Sequence, residues 1–187
     1  MTVAEIEAIL RQMSHDSWGL LEEEIPELKL LSKTKQSFKH HPEGDVATHT
    51  RLAIAACEED CSPDLLWAAL LHDIGKPATT EERDEKITAY KHEKVGAEIA
   101  EKILGRFQID TKRIHRIVWA IKNHLFYLSW QIDNYDQISN KQLRFVKNKD
   151  FKFLLELVRV DSLATFGNDS KDFAYTFYKK LLDNMAN

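Results

Sequence analysis

Residues 63–73, PDLLWAALLHD, constrain the fold more than any other stretch. Leu65, Leu66, Ala68, Ala69, Leu70 and Leu71 leave a helix here apolar on nearly every side, so it has to be buried. Yet it runs directly into His72 and Asp73, two polar groups carried into the core. A helix turns about 100° per residue, so positions three, four and seven apart share a face. On that spacing His49 falls with Val46, Ala53 and Ala56, and His92 with Gly96, Ile99 and Ile103. His124 falls with Ile114, Ile117, Val118 and Ile121, and Asp161 continues the stripe of Leu154, Leu157 and Val158.

Burying an unsatisfied polar group costs roughly 1–3 kcal/mol, and an unpaired carboxylate costs more. Six such groups would consume a sum comparable to the whole stability of a domain, about 5–15 kcal/mol. They must satisfy one another or share a partner. Histidine and aspartate without a matching set of buried lysine or arginine point to a metal ion, since imidazole suits transition metals and aspartate can bridge two of them.

Helical periodicity runs through the remaining sequence. Helices are expected at about 2–13, 18–32, 46–60, 63–73, 90–106, 110–126, 139–147, 151–167 and 170–185, with Ser62–Pro63 and Asp110–Thr111 as helix starts. ITAY at 87–90 is the only β-like stretch, and SKTKQSFKHHPEGD is the clearest loop of the first half. Six Gly and four Pro in 187 residues are few for a turn-rich β protein. The expected class is all-α, one domain with an N-terminal helical extension (1–40), a core (41–165) and a C-terminal helix (166–187).

Lys and Arg number 26 against 30 Asp and Glu, a net charge of −4, which argues against binding nucleic acid by bulk electrostatics. No apolar run approaches the roughly 20 residues that span a bilayer, and the acidic start MTVAEIEAIL is unlike a signal peptide. A cytoplasmic protein without a membrane partner is expected. Cys57 and Cys61 lack a second pair for a Cys-rich zinc site and read as reduced thiols. His15–Asp16 repeats the His-Asp dipeptide outside an apolar helix and reads as a decoy, and His115 reads as solvated.

HPEGDVATHT, LLHDIGKPATT, YKHEKVGAEIA and the late RVDSLA together resemble the HD-domain metal-dependent phosphohydrolase superfamily. The first two are most similar to the HD module of bacterial tRNA nucleotidyltransferases, the CCA-adding enzymes. The resemblance spans about His41 to Asp161 and implies a helical bundle with the metal site between core helices. It implies His49, His72, Asp73 and Asp161 as ligands of a first divalent metal, with Asp73 bridging, and His92 and His124 as ligands of a second. One or two ions would bind, among Mn, Ni, Fe, Mg or Co. Lys76 matches a lysine that meets the substrate phosphate.

The implied activity is phosphohydrolysis by a metal-activated hydroxide, with Asp73 and Lys76 catalytic. The substrate would be a nucleotide or an RNA end, hydrolysed as a 2',3'-cyclic phosphodiester or a phosphomonoester. His41, Glu43 and Thr48 belong to the same signature as candidate substrate contacts, while Asp45 is well placed as a helix cap. Free mononucleotides or dinucleoside polyphosphates remain alternative substrates, and a non-catalytic, metal-stabilised binding module is a further alternative. With so few glycines, no nucleotidyltransferase head is expected before His41, and a free-standing HD domain is anticipated.

Two basic clusters, Lys33–Lys35–Lys39–His40–His41 and Lys112–Arg113–Arg116, are candidate RNA-backbone contacts or solvated faces. Phe126, Tyr127 and Trp130 are candidate base-stacking rings. The aromatic tail (Phe173, Tyr175, Phe177, Tyr178, Leu181) either packs on the core or forms a homodimer surface.

Overall fold

The computed structural model describes residues 1–38, 41–84, 86–129, 138–165 and 169–186, without the side chains of 15, 16, 129, 169–172 and 186. His15 and Asp16 as side chains, and Lys39, His40 and Trp130 as residues, therefore lie outside the described residues.

The chain opens with α1 (Val3–Arg11) and α2 (His15–Glu24), followed by a 3-10 stretch over Pro26–Lys33. The single helix expected over 18–32 is thus divided. Pro26 lacks an N–H and pushes the preceding residue out of the α region, so Ile25 sits at φ −126°, ψ 80°. Helix α2 also starts earlier than expected, because Ser14 and Ser17 form a reciprocal capping box.

Next come α3 (Val46–Ala55) and α4 (Pro63–Leu71), started by the side chains of Asp45 and Ser62, which accept from the backbone N–H of Thr48 and Leu65. The short α5 (Lys76–Thr79) leads into β1 (Thr80–Arg83), which pairs antiparallel with β2 (Lys86–Ala89), Thr80 opposite Ala89. The β-like stretch at 87–90 is therefore half of a small hairpin. Its partner, TEER, carries no apolar alternation and gives no strand signal.

Helices α6 (His92–Arg106), α7 (Thr111–Asn123), α8 (Asn140–Val146), α9 (Phe151–Leu163) and α10 (Asp169–Ala186) complete the all-α architecture, with a 3-10 turn at Phe126–Ser129. Among the described residues no helix is long and apolar enough to cross a membrane.

Helix α4 lies at the centre, packed by α1, α3, α7 and α9, and Leu66, Trp67, Leu70 and Leu71 are fully or almost fully buried. Tail residues Phe177, Tyr178 and Leu181 pack inward against the core, while Phe173 is exposed. Arg113 bonds Asp64 at 2.6 Å and Glu7 at 2.7 Å, and Arg116 approaches Asp64 and Asp150. These two arginines tie α7 to α1, to α4 and to the start of α9, which occupies them structurally.

The turn after α4 is held against α6 by a close backbone approach at two glycines. A Cβ on Gly75 would stand 2.2 Å from the His92 carbonyl oxygen and 2.5 Å from the Gly96 nitrogen. Only glycine fits there, and the contact sets Asp73 beside the first turn of α6. Gly75→Ala is expected to lower the unfolding free energy by about 1–3 kcal/mol or more in urea denaturation. Gly105→Ala, within α6 and with nothing within 4 Å of the added carbon, should be neutral or stabilising by up to about 1 kcal/mol.

Candidate metal centre

Four histidines and two aspartates from five parts of the chain converge in the core. His49 comes from the middle of α3 and Asp161 from α9, as their apolar stripes required. His72 caps the C-terminus of α4, with Asp73 in the turn beyond; His92 opens α6 and His124 caps the C-terminus of α7. All six are at most 7% exposed.

Their orientation is fixed from behind. The Nδ1 of His72, His92 and His124 lies 2.8, 2.7 and 2.7 Å from the carbonyl oxygens of Ala69, Ala89 and Ile121, in each case three residues earlier. A carbonyl only accepts, so each Nδ1 carries the proton and donates it, leaving each Nε2 with a lone pair. His49 is oriented by a carboxylate instead: its Nδ1 is 2.7 Å from Glu43 Oε1, an oxygen that also bonds His41 Nδ1 at 2.8 Å.

The Nε2 atoms then face one another in two pairs. His49 and His72 approach to 3.2 Å, and His92 and His124 to 3.4 Å. Asp73 lies between the pairs, with Oδ2 3.3 Å from His72 and 3.7 Å from His49. Its other oxygen, Oδ1, is 3.2 Å from His92 and 3.9 Å from His124. Asp161 Oδ1 completes the first pair, 2.9 Å from His49 and 3.8 Å from His72. His49–His72–Asp161 and Asp73–His92–His124 are thus two compact donor groups, and one carboxylate reaches both.

This donor set fits divalent cations. Lone pairs that face each other in a buried site repel, and cations between them would turn that repulsion into coordination. Without cations, protons have to fill part of the role. The His49 pKa is raised: burial opposes this, but Asp161 and Glu43 on its two nitrogens outweigh it. Burial, followed by the charges of His92 and His72, lowers that of His124 to about 3. Burial pushes the Asp73 pKa up, but His72 and Lys76 outweigh it and hold the carboxyl well below the usual carboxylate range.

The remaining sequence candidates divide. Lys76, 7% exposed, places Nζ 2.7 Å from Asp73 Oδ2 and faces a cavity of about 880 Å³ that also reaches Asp73, His92, His124 and Asp161. His41 stands on the same cavity wall, and burial lowers its pKa to about 4 although Glu43 opposes the shift. Glu43 has a buried side chain committed to two imidazoles; burial resists its ionisation, but those bonds bring its pKa down to about 2. Thr48 donates to Asp45 at 3.1 Å and accepts from Arg51 at 3.2 Å, inside the α3 cap and off the cavity wall. Glu43 and Thr48 are thereby placed in supporting positions, not in contact with the cavity.

Tyr127 carries no base-stacking surface: it is 7% exposed on the cavity wall, close enough to Asp161 and Asp73 to feel their charge. Burial first, then those two carboxylates, raises its pKa, so it remains a hydroxyl donor. Gln36, whose Oε1 accepts from Lys76, carries no functional signal in the sequence. No periodic signal connects two residues forty positions apart.

Adding Mn²⁺ or Ni²⁺ at about 100 times its Kd should stabilise the fold by about 2.7 kcal/mol, read as a rise in Tm. Glu43→Gln loses the charge that orients His49 and should weaken metal affinity by about 10–100-fold by calorimetric titration.

A family model described as HD domain matches residues 45–155. The chain is 34% identical over 116 residues to the multifunctional CCA protein of Pseudomonas aeruginosa strain LESB58, covering 60% of this chain and 28% of that protein. It is 38% identical over 91 residues to the multifunctional CCA protein of Halorhodospira halophila, 48% of this chain and 21% of the relative. The A-adding tRNA nucleotidyltransferase of Deinococcus radiodurans is 28% identical over 187 residues, 91% of this chain and 41% of that protein. The chain thus spans less than half the length of these curated relatives. With more than half of its residues matched by the family model, and the His-Asp cluster buried at its centre, the chain belongs to the HD domain family.

Proposed function

We propose that this protein is a metal-dependent phosphohydrolase acting on nucleotides or RNA ends, as a 2',3'-cyclic phosphodiesterase, a phosphomonoesterase or both. One observation carries the reading: Asp73 offers one oxygen to each of two histidine groups, with Lys76 beside it at the floor of a large cavity. Divalent cations held by His49, His72, Asp161, Asp73, His92 and His124 would supply Lewis acidity, activating water and offsetting phosphoryl charge.

The chain's own groups supply the rest. Lys76 sets an ammonium where a phosphoryl oxygen would lie and stabilises charge that grows there in the transition state. Tyr127, on the wall of the same cavity, offers a neutral hydroxyl donor. His41 spends its Nδ1 hydrogen on Glu43, so its Nε2 is an acceptor suited to a ribose hydroxyl. Lys35, Lys91, Lys94 and Lys122 line the same cavity and favour an anionic substrate, while Tyr90 is a 78%-exposed ring at its edge. The RNA-end reading draws support from the relatives whose names concern tRNA and CCA.

A second reading, hydrolysis of free mononucleotides or dinucleoside polyphosphates, is favoured by the cavity volume of about 880 Å³ and its lysines. Protein loaded with Mn²⁺, Ni²⁺ or Mg²⁺ should hydrolyse at least one of 2',3'-cyclic nucleotides, mononucleotides, a dinucleoside polyphosphate or an RNA ending in a cyclic phosphate. Asp73→Ala should lower the rate by on the order of 10²–10³-fold or more. The preferred substrate assigns the branch. Absence of turnover on every substrate, from folded and metal-loaded protein, would instead favour a binding module.

A further inference from the structure

Lys76 is a buried cation, and its two partners differ in kind. Asp73 Oδ2 is 2.7 Å away and charged, but the same oxygen faces the His49–His72 pair. The second partner is Gln36 Oε1, neutral and outside the matched family segment 45–155. Gln36 is itself 8% exposed and stands on the cavity wall. Its position is tied to the helix that carries His49: Lys35 pairs through its backbone, as an isolated antiparallel β-bridge, with Asp45, the cap of α3, and the Thr34 carbonyl accepts from the Val46 N–H at 3.1 Å.

The Nε2 of Gln36 is buried with no partner among the described residues. A buried amide donor without a partner lowers stability. The opposite amide orientation would set two donors, Nε2 and Nζ, against each other, so the contact with Lys76 fixes the side chain.

We infer that Gln36 is a positioning residue for Lys76, an uncharged anchor that holds the ammonium at the cavity floor without cancelling its charge. The inference rests on the phosphohydrolase reading of the site. A cation shared with Asp73 would draw on the carboxylate that Lys76 also uses, and a neutral acceptor keeps Lys76 in place. A carboxylate at position 36 would grip the lysine harder and neutralise it. The N-terminal segment thereby contributes to anion binding, and the ligand class is a phosphate monoanion or dianion seated between Lys76 and the donor groups.

The test compares wild-type protein, Gln36→Glu and Gln36→Met, each metal-loaded, for affinity toward inorganic phosphate by calorimetry. Metal content, Tm and, for the preferred ester, KM and kcat are measured in parallel. Gln36→Glu should retain metal and Tm yet weaken phosphate binding by on the order of tenfold. Gln36→Met, which removes the anchor and adds no charge, should lose less. A merely structural role predicts the reverse order, with Met the more damaging. That order, or phosphate affinity in Gln36→Glu within twofold of wild type, would overturn the inference. Wild-type protein that binds neither phosphate nor any ester would overturn the phosphohydrolase reading, and the role of Gln36 with it.

Discussion

Three hydrogen bonds from histidine Nδ1 to the carbonyl three residues earlier decide what this core can be. They satisfy carbonyls near the C-termini of α4 and α7 and at the end of β2, and fix the tautomer of His72, His92 and His124. Once each Nδ1 is committed, each Nε2 is an acceptor. With Asp73 and Asp161 among them, the interior holds a concentration of lone pairs that only cations or protons can reconcile. The metal-site reading follows from that imbalance of donors and acceptors. The raised pKa of His49 is its signature when protons alone are available.

The surrounding architecture holds this polar centre inside a hydrophobic core. Helix α4 is buried from Asp64 to Leu71 and delivers His72 and Asp73 at its end. The Gly75–Gly96 approach brings that end against α6, so Asp73 can turn one oxygen toward each histidine pair. Glu43 performs for His49, in mid-helix, the orientation that carbonyls perform for the histidines at helix ends. Unlike the carbonyls it brings a charge, which together with Asp161 raises the His49 pKa against the effect of burial.

Much of this was legible in the sequence, for physical reasons that differ by residue. His49 and Asp161 lie within helices, where 3.6-residue periodicity fixes the direction of a side chain, so their apolar stripes pointed inward correctly. His92 and His124 fall on the apolar stripes of their helices by the same spacing, and His72 ends the helix that is apolar on nearly every side, although all three stand at helix ends, where periodicity constrains direction less. The carbonyl acceptors could not be read at all, because backbone groups leave no residue-type signal. Glu43 belongs to the HPEGD motif, but its role depends on how the loop over 41–45 folds back on α3. Thr48, a candidate substrate contact, stays within the α3 cap. The break at Ile25 has a local signal in Pro26, which disfavours the α region for the residue before it. The pairing of TEER with KITA and the reach of Gln36 to Lys76 are tertiary facts without local pattern.

If the Nε2 atoms and the Asp73 oxygens form two cation sites sharing one carboxylate, crystals grown with Mn²⁺ or Ni²⁺ should show two anomalous diffraction peaks flanking Asp73, one within the His49–His72–Asp161 group and one within the His92–His124 group, with every histidine coordinating through Nε2. Protein that takes up no metal, or metal bound only away from Asp73, would contradict that arrangement.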